Sequence, residues 1–122
     1  MDKTFARCHR LTRTDEFSSV FGFRRAIRGK LLTVHYQPRP DGENGARLGL
    51  VIAKKFLRRA VDRNQVKRIG REQFRCLRGR LPALDLVVRL TVKSASIDRK
   101  LLAAEVIVLL NRLQQSRPKV EQ

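Results

Sequence analysis

Tryptophan is absent from the 122-residue chain, tyrosine occurs once, and there are only two cysteines and two histidines. Cys8 adjoins His9, but Cys76 lies far along the chain, and a tetrahedral zinc site takes four such ligands. Two reduced thiols, with neither a disulfide nor a metal site, are therefore expected. No segment approaches the roughly 18 apolar residues of a membrane span, and the first ten residues, MDKTFARCHR, lack the apolar middle of a signal peptide. These shortages point to a cytoplasmic protein with no membrane partner. Acid is scarce as well: 11 Asp and Glu stand against 28 Lys and Arg, a formal net charge of +17. Salt screens such repulsion only in part, so a polyanionic partner is expected. The cations run from Lys3 to Lys119 rather than forming one juxtamembrane cluster, which favours nucleic acid over an anionic membrane surface.

What is present suits one compact domain over residues 1–122, with a loose C-terminal tail from about residue 116 (SRPKVEQ). In LTRTDEFSSVFG, Thr12 or Thr14 can cap a helix, Asp15 and Glu16 suit its positive end, and Gly22 can close it. Phe17, Val20 and Phe21 then share one face. A short strand is expected in RRAIRG and a longer one in KLLTVHYQ, followed by a turn or hairpin loop in PRPDGENGA. RLGLVIAKK is apolar at successive positions, as a strand covered on both faces would be. A basic helix follows from about Val61 to about Arg78, stopped near Gly79 and Pro82; ALDLVVRLTV is another strand. Ser96 or Asp98 can cap a last helix with Leu102, Val106, Leu109 and Leu113 on one stripe. The expected fold is α+β, an α-β sandwich of order α-β-β-β-α-β-α with one mixed sheet and helices packed on it.

The functional signal lies in KKFLRRAVDRNQVKRIGREQFR, Lys54 to Arg75, where nine cations face only Asp62 and Glu72. At about 100° per residue, Arg63, Asn64, Lys67, Arg68, Arg71, Arg75 and Arg78 fall within an arc of roughly 140°. Val66, Ile69, Gly70, Cys76 and Leu77 occupy the opposite arc, with Phe74 at its border. A solvated helix face usually alternates acid and base, whereas Arg63, Lys67, Arg71 and Arg75 are like charges at successive i,i+4 steps, each unfavourable by a few tenths of a kcal/mol, on the order of 0.3. A phosphate backbone explains both the sign and the preference for arginine, whose planar fork grips phosphate oxygens in pairs. Asn64 can bond a backbone or a base edge.

No helix-turn-helix, zinc finger or leucine zipper is spelled out, so DNA is not the expected partner. Single-stranded RNA is held by stacking on exposed rings beside a basic track, and Phe17, Phe21 and Tyr36 can supply such rings, although two Phe at i,i+4 also suit a core. Catalysis by the protein has little to work with. His9 and His35 and scattered carboxylates are the candidate acids and bases, and no metal site or catalytic residue is singled out.

RLTRTDEFSSVF, RLGLVIAKK, RAVDRNQVKRIGREQF and LPALDLVV together resemble the bacterial ribonuclease P protein, the basic subunit that works with a catalytic RNA to remove the 5′ leader of precursor tRNA. The most specific match is the Arg-Asn-x-x-Lys-Arg-x-x-Arg signature at Arg63, Asn64, Lys67, Arg68 and Arg71; Lys54, Lys55 and Ala60 match too. Gln65 departs from the family's usual second Arg, and the wheel turns it away from the cationic arc. The resemblance implies a fold like the second domain of ribosomal protein S5, with a left-handed β-α-β crossover. It implies that the catalytic RNA is bound by Lys54, Lys55, Arg58, Arg59, Arg63, Asn64, Lys67, Arg68, Arg71 and Arg75, and the leader by Phe17, Phe21, Val34 and Tyr36. It further implies that Mg²⁺ serves the holoenzyme through the RNA, with no cofactor held by the protein. A basic ribosomal or other structural RNA-binding protein is the alternative of similar composition, and a membrane-surface protein a more distant one, since the apolar side of the basic helix is needed for packing.

Overall fold

The computed structural model describes residues 10–11, 13–39, 45–93 and 98–115. Cys8, His9, the candidate caps Thr12 and Ser96, and the tail from residue 116 lie outside the described residues. Helix α1 (Thr14–Phe23) starts behind Arg13, whose N–H donates to the Glu16 carboxylate at 3.0 Å, with Asp15 and Glu16 in the positive first turn. It does not stop at Gly22. It runs through Phe23 and closes on Arg24, which takes the left-handed conformation (φ 63°) at an expected cost of about 1 kcal/mol.

Strands β1 (Ala26–Arg28), β2 (Leu32–Pro38) and β3 (Arg47–Val51), helix α2 (Ala60–Leu77) with a short 3-10 turn behind it, strand β4 (Leu84–Leu90) and helix α3 (Arg99–Gln115) follow in the expected order. Asp98 caps α3, its carboxylate accepting from the N–H groups of Lys100 (3.1 Å) and Leu101 (3.2 Å). The sheet order is β1-β2-β4-β3. β1 and β4 pair antiparallel with β2, and β3 pairs parallel with β4. The expected hairpin option between β2 and β3 is therefore not used, because β4 inserts between them. β4 is the strand fit for that central place: Leu84, Leu86, Val87, Val88 and Leu90 are all buried, so both of its faces need cover.

Each face of the sheet has its own cover. On one side Leu32, Val34, Leu48, Leu86 and Val88 meet Val66 and Phe74 of α2 and Leu102, Val106, Leu109 and Leu113 of α3 in the main core. Phe74, placed at the border by the helical wheel, is fully buried, while Cys76 is exposed and free. α2 comes close because Gly70 has no side chain: a Cβ there would lie 2.8 Å from Leu50 Cδ2. On the other side Val20 of α1 packs with Leu11 and Val87, flanked by Phe17, Phe21 and Val51. Glycine again permits the close approach, since a Cβ on Gly49 would collide with the Phe17 ring. Gly49→Ala is expected to cost about 1–3 kcal/mol by overpacking, seen as a lower urea midpoint at unchanged slope.

Candidate nucleic-acid interface

Two surfaces concentrate the chemistry, one outside α2 and one beneath α1. On α2 the cations differ in how they are engaged. Arg75 pairs with Glu72 (2.7 Å) and Arg59 approaches Asp62 (3.9 Å). Arg63 turns back onto the incoming loop, donating from Nη1 to the carbonyls of Leu57 (2.9 Å) and Arg58 (2.8 Å). Among the described residues, no carboxylate meets Lys67, Arg68 or Arg71. Burial, and then the neighbouring guanidinium groups of Arg10 and Arg68, push Arg71 below its usual pKa. Arg10 reaches that neighbourhood because it bridges to Leu48 along the outer edge of β3. The middle of this helix face thus concentrates positive potential at Lys67, Arg68 and Arg71, with no carboxylate against it among the described residues.

Beneath α1, β2 and β4 alternate, and the residues turned away from the main core line a cleft. Phe17 lies over Gly49, and the Phe21 ring meets His35 edge-on at 4.8 Å and 77° between planes. The Arg89 guanidinium stands 6.0 Å from the Phe21 ring centre. Ser19 donates to Gln37 at 2.9 Å, tying α1 to β2. At this end of the cleft the acids are occupied: Arg47 grips Asp85 through two 2.8 Å hydrogen bonds and reaches Glu16 at 3.2 Å. The hydrogen-bonded Asp85 carboxylate, resisted by burial, holds Arg47 above its usual pKa. Toward the opposite end, Arg28, Lys30 and Arg89 are the charged groups around the cleft floor.

The sequence profile of the family Ribonuclease P matches residues 5–114. The ribonuclease P protein component of Azoarcus sp. (strain BH72) is 50% identical over 115 residues, 94% of each chain, and that of Ralstonia pickettii (strain 12J) is 43% identical over 100 residues, 82% of this chain and 70% of the other. The chain belongs to the ribonuclease P protein family. Its fold matches the RNase P protein from Thermotoga maritima with a TM-score of 0.71 at 29% identity, covering 84% of this chain and 96% of that one. It also matches an RNase P protein mutant from Staphylococcus aureus with a TM-score of 0.77 at 20% identity, over 87% and 88% of the two chains.

Within this family fold, the expected site residues are not all brought together. Arg58, Arg59, Asn64, Lys54 and Lys55 are exposed, and Lys55 lies 5.1 Å over the ring of Phe56. Gln65 lies at the edge of the basic face, beside Arg68, Ile69 and Arg99 of α3. Phe17 and Phe21 both border the cleft, half-buried. Val34 and Tyr36 do not share it: Val34 is 1% exposed inside the main core, and Tyr36 packs against that same core, on the sheet face opposite the cleft. The pleat is the reason, since residues of equal parity on β2 point to one side and Leu32 and Val34 are committed to the α2–α3 side. The cleft residues of β2 are Thr33, His35 and Gln37, joined by Arg89 of β4. The signal that locates them is the alternation of LTVHYQ itself, which sets Tyr36 on the same face as Leu32 and Val34. Among the described residues no group of three or more His, Cys, Asp or Glu is placed to hold a metal ion, and no helix is long and apolar enough to cross a membrane.

Proposed function

We propose that this chain is the protein subunit of a cytoplasmic ribonuclease P, binding the catalytic RNA with the outer face of α2 and the single-stranded 5′ leader of precursor tRNA in the cleft beneath α1. The observation that carries this reading is the cluster of Lys67, Arg68 and Arg71, with no acid against it among the described residues, in the middle of the family signature. Phosphates would relieve the mutual repulsion of these groups and let the RNA fold compactly. Lys54, Lys55, Arg58, Arg59 and Asn64 extend that face. Arg63 is assigned to shaping it, because its guanidinium holds the loop that leads into α2.

The chemistry is assigned to the RNA and its Mg²⁺. The protein's own residues act by binding, and they act unequally on substrate and product. Precursor tRNA carries a leader that can stack on Phe17, Phe21 and the His35 ring, whereas mature tRNA no longer carries it. Interactions present only before cleavage favour the precursor and let product leave. Phe21→Leu keeps apolar volume beside Val20 but removes the ring face. It is expected to reduce the holoenzyme's preference for precursor over mature tRNA by roughly tenfold, toward the low end of the 1–3 kcal/mol of one stacked base. Equal weakening of both tRNAs in a filter-binding assay would place the leader elsewhere.

A further inference from the structure

The cleft floor opens, away from the Arg47–Asp85 pair, into a cavity of about 510 Å³ lined by Arg28, Lys30, Thr33, His35, Arg89 and Thr91. Three cations and two hydroxyls border it, and among the described residues the lining contains no carboxylate. Two buried polar atoms of this lining, His35 Nε2 and Arg89 Nε, have no hydrogen-bond partner among the described residues. A buried polar group left so is destabilising, and a ligand that supplies the missing hydrogen bond removes that penalty.

We propose that this cavity takes one phosphodiester of a single-stranded RNA and that His35 picks up a proton as the phosphate enters. The inference rests on the leader reading above and adds a ligand group and a proton to it. The Phe21 ring of α1 and Arg89 of β4 neighbour the imidazole directly, and Arg28 of β1 and Lys30 of the β1–β2 turn line the same cavity. A protonated His35 adds a positive charge to a lining that already holds Arg28, Lys30 and Arg89. Burial first, and then Arg89, hold its pKa below the usual value, which favours the neutral ring in the free protein. A phosphodiester reverses both the local field and the hydrogen-bonding demand. Its oxygens accept from Arg89 Nε and from an Nε2–H, and its negative charge favours the imidazolium over the neutral ring. The proton comes from solvent and no bond in the RNA changes. Because the RNA-bound form has the higher imidazole pKa, binding tightens as the pH falls through the bound-state pKa and the gain disappears above it.

The test uses the reconstituted holoenzyme with a precursor tRNA whose leader is all uridine, so that no leader base titrates, and with the leaderless tRNA. The ratio of their dissociation constants is measured from about pH 5.5 to about 8 at fixed ionic strength. The expected result is a preference for precursor that grows toward acid, by up to about tenfold for each unit by which occupancy raises the imidazole pKa, and that is flat in His35→Gln. An NMR titration of the His35 ring in the free wild-type protein, with and without an all-uridine oligonucleotide, needs no variant and is expected to show the pKa rising on binding. A precursor preference independent of pH together with an unmoved His35 pKa overturns the proposal and leaves the leader reading standing. No precursor preference at any pH, with a His35 pKa that still rises on adding oligonucleotide, keeps the phosphate site and overturns the leader reading.

Discussion

Replacing Lys67, Arg68 and Arg71 together with Gln is expected to weaken assembly with the catalytic RNA by roughly a hundredfold at about 0.15 M salt and to flatten the salt dependence by two to three units in log K against log salt, roughly 0.9 for each phosphate no longer neutralised. These three are chosen because no acid meets them among the described residues, whereas Arg75 has Glu72 and Arg63 has two backbone carbonyls. Folding should survive, since Arg68 is exposed, Lys67 and Arg71 are only partly buried, and removing like charges relieves repulsion. The control is Arg75→Gln, where removal of one salt-linked cation should change the slope by less. An unchanged slope in the triple variant would make the basic face a solvated surface and move the RNA-binding surface elsewhere.

Phe74→Ala is expected to destabilise the protein by about 3–5 kcal/mol, the largest stability effect of any single truncation considered. The ring is fully buried in the main core, where α2 meets the sheet and α3, and no smaller side chain can fill the space without the helix moving. A chemical denaturation curve should show a much lower midpoint at a similar slope. Assembly with RNA should weaken only as far as unfolding depletes the native protein, because the Phe74 ring is buried in the core and its truncation removes no cation. The two variants thus separate the sides of one helix: one releases RNA and keeps the fold, and the other sacrifices stability and keeps the charge.

That division was legible in the sequence because both signals have the helical period. Arg63, Lys67, Arg71 and Arg75 recur every four residues, and Val66 and Gly70 recur every four on the other side. The order of elements was legible for similar reasons, since each carries a local period or cap, such as Asp98 before α3. Strand order was not. β4 reaches its place between β2 and β3 by pairings such as His35 with Val87, which no local pattern encodes, so PRPDGENGA suggested a hairpin that the sheet does not contain. The cleft was half legible. Phe17 and Phe21 share a helix face with Val20 in sequence and in structure, but the Tyr36 ring lies on the main-core face, and the pleat of β2 turns His35 toward Phe21 instead. How Arg63 is engaged was also hidden, because its partners are carbonyl groups of a loop whose path depends on α2 being docked.

The central claim is that the chain acts as a binding subunit of an RNA enzyme. It is tested most directly by incubating a precursor tRNA bearing a 5′ leader with the protein alone, the cognate catalytic RNA alone, and both, at low Mg²⁺ and moderate salt. Efficient release of the leader and the mature 5′ end only in the mixture is the predicted result. Cleavage by the protein alone would contradict the assignment of chemistry to the RNA. Tight RNA binding with no gain in cleavage would contradict the claim itself and favour a structural RNA-binding role.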